Sequence, residues 1–129
     1  MRYVCLIYLD EKELAAMPEA KMNALNARHL EFNDGLLTAG QFIEAEALEP
    51  GGAATCVRMR QGKSTVVDGP YAETKEQVAG FYLIEARDLN EAIQVAAQIP
   101  SAALGTIEVR PCRDLIVDGV KRKASGKPR

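Results

Sequence analysis

The stretch Arg2-Tyr3-Val4-Cys5-Leu6-Ile7-Tyr8-Leu9 decides the fold. It is rich in β-branched and aromatic residues, which marks a strand. Alternation puts Tyr3, Cys5, Ile7 and Leu9 on one face and Val4, Leu6 and Tyr8 on the other. Both faces are apolar, so both need cover. A second segment, Val78 to Ala86 (VAGFYLIEA), repeats the pattern. Two such strands imply a sheet with helices on one side and another cover on the opposite side. The chain offers only two good helices, so the second cover is expected from another subunit.

Between these strands, the sequence predicts a helix from Pro18 to Ala39. Pro18 suits a first helical turn and Gly40 a helix end. Met22, Leu25, His29, Phe32 and Leu36 recur at three- and four-residue steps and mark its inward face. Three strand-like runs follow, Gln41 to Leu48, Ala54 to Arg60 and Lys63 to Val67, with turns at Pro50-Gly51-Gly52 and Gln61-Gly62. A second helix begins at Asp88, capped with the help of Glu91, and stops at Pro100. Leu89, Ile93, Ala96 and Ala97 are expected to face inward. Thr106 to Cys112 closes the series as a half-buried strand. The order β-α-β-β-(β)-β-α-β is that of an α+β, ferredoxin-like split βαβ with an inserted hairpin.

The 129 residues make one domain, with 47% apolar and 26% charged residues, an ordinary globular balance. Sixteen Lys and Arg against 18 Asp and Glu leave a net charge of −2, which is no footprint for specific nucleic-acid binding. No apolar run reaches the length of a membrane span and no cleavable leader is visible, so a cytoplasmic location is expected. Residues 121–129 carry five positive and no negative charges, which leaves the rest of the chain at −7. The segment 115–129 is expected to be a disordered basic tail beyond a domain at 1–114, solvated or in weak contact with an anion or RNA. Cys5, Cys56 and Cys112 are an odd number without metal-ligand spacing, and suit small buried side chains in a reducing compartment.

The densest polar stretch is Asp68-Gly69-Pro70-Tyr71-Ala72-Glu73-Thr74-Lys75-Glu76. Pro70 cannot donate to a ladder, so a two-residue hairpin is excluded and a wide loop is expected. It is either a solvated surface turn or a loop holding Asp68, Tyr71 and Glu73 over a cavity. His29 is the chain's one histidine, and so its one side chain normally poised to exchange protons near neutral pH. Its place on an apolar helical stripe equally suits a hydrogen-bonded core residue. One histidine and scattered carboxylates give no metal-ligand spacing, and no phosphate loop, nucleophile elbow or dinucleotide fingerprint is present.

The run from Asp68 to Gln77, followed by Gly80-Phe81-Tyr82-Leu83-Ile84, resembles the hallmark of the DGPF branch of the YCII-related proteins, with Tyr71 in place of the usual Phe. The likeness takes in Tyr3 to Tyr8, His29 to Gly40, Glu46 to Leu48 and Ile107 to Pro111. The resemblance implies a ferredoxin-like fold pairing into a homodimeric α/β barrel. It also implies small-molecule chemistry without a cofactor: in the wider superfamily a His on the first helix and an Asp form an acid–base dyad, and one member is a dehydrochlorinase of a chlorinated hydroxyquinol. His29 matches that histidine. The Asp, which usually precedes a Pro after the second helix, is replaced by Ile99 before Pro100, and Asp68 is the natural substitute. On this reading His29 and Asp68 are catalytic. Tyr8 or Tyr71 donates to a developing oxyanion, and Glu73 or Lys75 lines the entrance to a site for a phenolic or lactone-like molecule. The branch is also associated with extracytoplasmic-function sigma factors, which implies the alternative of a non-catalytic binding or regulatory module.

Overall fold

The computed structural model describes residues 1–127; the last two residues of the expected tail lie outside the described residues. The long strand β1 (Arg2–Asp10) is central in a four-stranded sheet, between β5 (Glu76–Glu85) and β6 (Thr106–Pro111), with β2 (Phe42–Ala47) at the far side of β5. All three pairings are antiparallel. Helix α2 (Glu19–Thr38) links β1 to β2, and α3 (Leu89–Gln98) links β5 to β6, so two split βαβ units interleave. This is the ferredoxin-like α+β arrangement that the element order predicts.

The two faces of β1 differ. Tyr3, Cys5, Ile7 and Leu9 are buried with Tyr82 and Ile84 of β5 and with Leu36 of α2. Val4, Leu6 and Tyr8 are only half-buried on the opposite face. The helices therefore cover one side of the sheet within this chain.

Asp10 caps a short helix, α1 (Glu11–Ala15), accepting from the backbone N–H of Lys12 at 2.9 Å. This helix was not expected, although Asp10 and the acidic first turn are its local signals. Pro18 stands at the N-cap of α2, just outside the helix. At the other end Gly40 has φ +72°, and Gln41 N–H donates to Leu36 O at 2.9 Å, the 6→1 bond of a Schellman motif.

Helix α3 begins as expected, with Asp88 accepting from Glu91 N–H at 2.9 Å, but its inward face is rotated from the expected one. Ala92, Val95, Ala96 and Ile99 are buried, whereas Leu89 and Ile93 are half exposed. Small residues at 92 and 96 let the helix lie close on the sheet, so side-chain size alone misassigns the stripe.

The inserted hairpin, β3 (Thr55–Arg60) and β4 (Lys63–Asp68), forms a separate two-stranded sheet. Its turn has positive φ at both Gln61 and Gly62, the requirement of a type I′ turn. The start of the expected tail corrects the sequence reading. Leu115–Val117 (β7) and Val120–Arg122 (β8) pair into a small hairpin about Asp118-Gly119, again with both φ positive. Asp-Gly between short apolar runs is the signal that the neighbouring basic residues mask. Among the described residues no helix is long and apolar enough to cross a membrane.

Candidate functional site

A cavity of about 490 Å³ lies between α2 and the helix-covered face of the sheet. Its size falls within the roughly 300–1,000 Å³ usual for small-molecule sites. Most of its wall is apolar, from Ile7 and Leu9 of β1, Leu14 of α1 and Leu25 of α2. Helix α2 adds a polar stripe. Asn26, His29 and Asn33 stand at positions i, i+3 and i+7, so all three share one side and all line the cavity.

Tyr82 reaches His29 from β5. Its Oη lies 2.9 Å from His29 Nδ1, the rings stack with centroids 6.1 Å apart, and the edge of Phe32 meets Tyr82 at 5.6 Å. Burial, aided by the neighbouring Arg28 charge, lowers the His29 pKa below its usual 6.5. Burial pushes Tyr82 up to about 12. At neutral pH the pair is therefore an uncharged imidazole beside a protonated phenol. Two bulges bracket Tyr82's strand. The β1–β5 register shifts between Ile7 and Tyr8, and the β2–β5 register between Phe42 and Glu44. Gly80 lines the same cavity at the closest approach of β2: a Cβ there would lie 2.7 Å from Glu46 O.

Two polar atoms in this wall have no hydrogen-bond partner among the described residues: Asn33 Oδ1 and Ser101 Oγ. Ser101 stands in the 3₁₀ turn Pro100–Ala103 after α3 and is 1% exposed. Leaving a buried polar group unmatched costs about 1–3 kcal/mol, so each such atom calls for a partner, such as an ordered water or a ligand.

The other residues expected at the site lie elsewhere. Asp68 ends β4 opposite Thr55, is exposed, and lines neither this cavity nor the hollow described next. The hydrogen bond of His29 Nδ1 is shared with Tyr82 Oη and not with Asp68. Tyr8 and Tyr71 line a second hollow of about 460 Å³, with Pro50, Pro70, Thr74 and Gln77. Tyr8 Oη donates to Glu108 Oε1 at 3.2 Å, and Arg110 holds the other carboxylate oxygen at 3.0 Å. Burial and the Glu108 hydrogen bond raise the Tyr8 pKa. Glu73 and Lys75 are exposed and line neither cavity. The 68–76 loop is wide, as expected, and Gln77 ties it together: its Nε2 donates to Ala72 O and Thr74 O, both at 2.9 Å.

Tyr82, Asn33 and Ser101 are the site residues that sequence reasoning missed. Asn33 had a signal, its four-residue step from His29. Tyr82 reads only as strand, and Ser101 only as the residue after a helix-stopping proline. Among the described residues no three His, Cys, Asp or Glu side chains converge as a metal site requires.

Two comparisons bear on this arrangement. An uncharacterised protein of Rhizobium meliloti (strain 1021) is 38% identical over 117 residues, covering 86% of this chain and 91% of that protein. The sequence model of the YCII-related domain matches residues 1–116, which include α2, the whole four-stranded sheet and every wall of the cavity. On that match the chain belongs to the YCII-related family.

Proposed function

We propose that this protein is a cofactor-free acid–base catalyst of the lyase or isomerase type, acting on a small phenolic or lactone-like molecule bound under α2. The observation that carries this reading is the His29–Tyr82 pair: a neutral imidazole on a cavity wall, with one ring nitrogen engaged at 2.9 Å. When Nδ1–H donates to Tyr82 Oη, Nε2 carries the lone pair and accepts a proton from the bound substrate. The imidazolium keeps its bond to Tyr82. It then returns the proton to another atom of the substrate, or holds it while a leaving group departs. In this reading Tyr82 takes the orienting role expected of Asp68. Tyr8 and Tyr71 serve recognition in the second hollow that they line, and Asp68, Glu73 and Lys75 act from the exposed surface of the 68–76 loop. A second copy covers the half-buried face of the sheet and closes a dimeric α/β barrel.

A second reading, a non-catalytic module that offers the 68–76 loop to a protein such as a sigma factor, is favoured by Tyr71, which is 86% exposed at the loop tip.

The test is a turnover screen over small phenols and lactones with wild type and His29→Gln. A general base contributes about 10²–10⁴-fold, and a loss of that order is expected. Turnover that survives the substitution, or a screen in which wild type converts nothing, removes the catalytic reading.

A further inference from the structure

We infer that the cavity under α2 selects uncharged hydroxyl compounds, with the ligand hydroxyl held by Ser101 and Asn33, and rejects the matching carboxylates and amines. The inference rests on that cavity being the ligand site. The carrying observation is the pair of unmatched polar atoms in its wall. Ser101 Oγ belongs to a side chain 1% exposed, and Asn33 Oδ1 is likewise shut off from solvent; neither has a partner in the fold. Oδ1 is an acceptor and needs a donor. Ser101 Oγ–H donates and needs an acceptor. A neutral hydroxyl group is both. A carboxylate has no proton to give to Asn33 Oδ1 and would set acceptor against acceptor.

The remaining wall points the same way. Among the described residues no Lys or Arg lines the cavity, and Glu46 is the one carboxylate residue in its lining. An anion would therefore be buried among apolar side chains without a cation, which is costly. An ammonium ligand meets the same apolar wall and cannot accept from Ser101 Oγ–H; the Glu46 side chain is exposed, and His29, held neutral, offers no counter-charge. The second hollow is the more acidic of the two, with both Glu49 and Glu76 in its lining beside Tyr8 and Tyr71.

Three ring compounds of one shape test this: 4-hydroxybenzyl alcohol, 4-hydroxybenzoate and 4-hydroxybenzylamine, titrated at pH 7.5 into the full chain. Binding is followed through the His29 ring protons, which need no assignment because the chain has one histidine. The alcohol is expected to bind at least about tenfold more tightly than either charged analogue. Ser101→Ala is expected to weaken the alcohol about fivefold or more while leaving the melting temperature equal to or above wild type, since the lost hydroxyl has no partner in the fold. Ser101→Cys, which keeps the bulk but donates weakly, is expected to act in the same direction. Equal or tighter binding of a charged analogue, no binding by any of the three, or an unchanged affinity in both Ser101 variants overturns the inference. Binding is read without turnover, so the two readings fail separately. A preference for the alcohol without any reaction spares this inference and removes catalysis. Conversion of an anionic substrate at His29 does the reverse.

Discussion

The cavity under α2 and the loop from Asp68 to Glu76 are opposite kinds of polar region. The loop concentrates five ionisable side chains in nine residues, and all but the half-buried Glu76 are exposed to water. The cavity gathers four modest polar groups from distant parts of the chain, His29, Asn33, Tyr82 and Ser101, and shields them. Charge density along a sequence marks where side chains are solvated. Chemistry depends on where a few of them are desolvated, because only there do hydrogen bonds and protonation equilibria depart far from their values in water. In the cavity, burial raises the Tyr82 pKa and, with the Arg28 charge, lowers that of His29.

The contrast is broken most severely at Gly80. A Cβ at that position would lie 2.7 Å from the backbone oxygen of Glu46, which cannot rotate away. Gly80→Val is expected to push β2 from β5, cost roughly 2–4 kcal/mol as overpacking and strand distortion do, and open the cavity. Chemical denaturation measures the loss, and a variant as stable as wild type contradicts the packing described for this wall.

A smaller effect concerns protonation. The folded-state pKa of His29 lies below its unfolded value of 6.5. The unfolded chain therefore takes up a proton first as pH falls. The stability associated with neutral His29 is complete above about pH 6.5 and is lost as pH drops through that value toward the folded pKa. The difference in melting temperature between wild type and His29→Gln should shift across that window and level off beyond it. Tyr82→Phe removes the Nδ1 partner. It is expected to cost about 1 kcal/mol and to move the His29 titration by NMR, whereas a phenylalanine variant with an unmoved titration would show the hydroxyl to be irrelevant to the histidine.

The smallest effects belong to the loop. Tyr71→Ala removes a side chain 86% exposed, and stability within about 0.5 kcal/mol of wild type is expected. Asp68→Asn should leave the His29 titration where it is, since Tyr82 supplies its hydrogen bond. A drop in the His29 pKa in that variant would restore a carboxylate–histidine pair and erase the distinction between the two regions.

Much of this architecture was legible along the chain. The two-sided apolar pattern of Arg2 to Leu9, the stripe from Met22 to Leu36, and the cap at Asp88 with Glu91 are local signals. Each depends on a period or a spacing that neighbouring residues carry by themselves. The Gln61-Gly62 turn belongs with them, and so does Asp118-Gly119, whose signal was present but unread. The inward face of α3 was not legible in the same way. Ala92 and Ala96 are weak hydrophobes that become core only because the helix lies close to the sheet.

The candidate site divides along the same line. Local pattern is enough to require a ferredoxin-like sheet with the one histidine on the helix face turned toward it, because periodicity is a local property. The side chain that meets that histidine is chosen by long-range packing. Tyr82 is 53 residues away, and its arrival at 2.9 Å depends on the pairing of β5 with β1 and β2 and on the bulges that interrupt it. Ser101 joins them from the turn after α3, and Asp68 is kept away because it ends a hairpin outside the main sheet. Side chains so far apart along the chain meet through strand register and helix packing, and neither is written in the residues next to them.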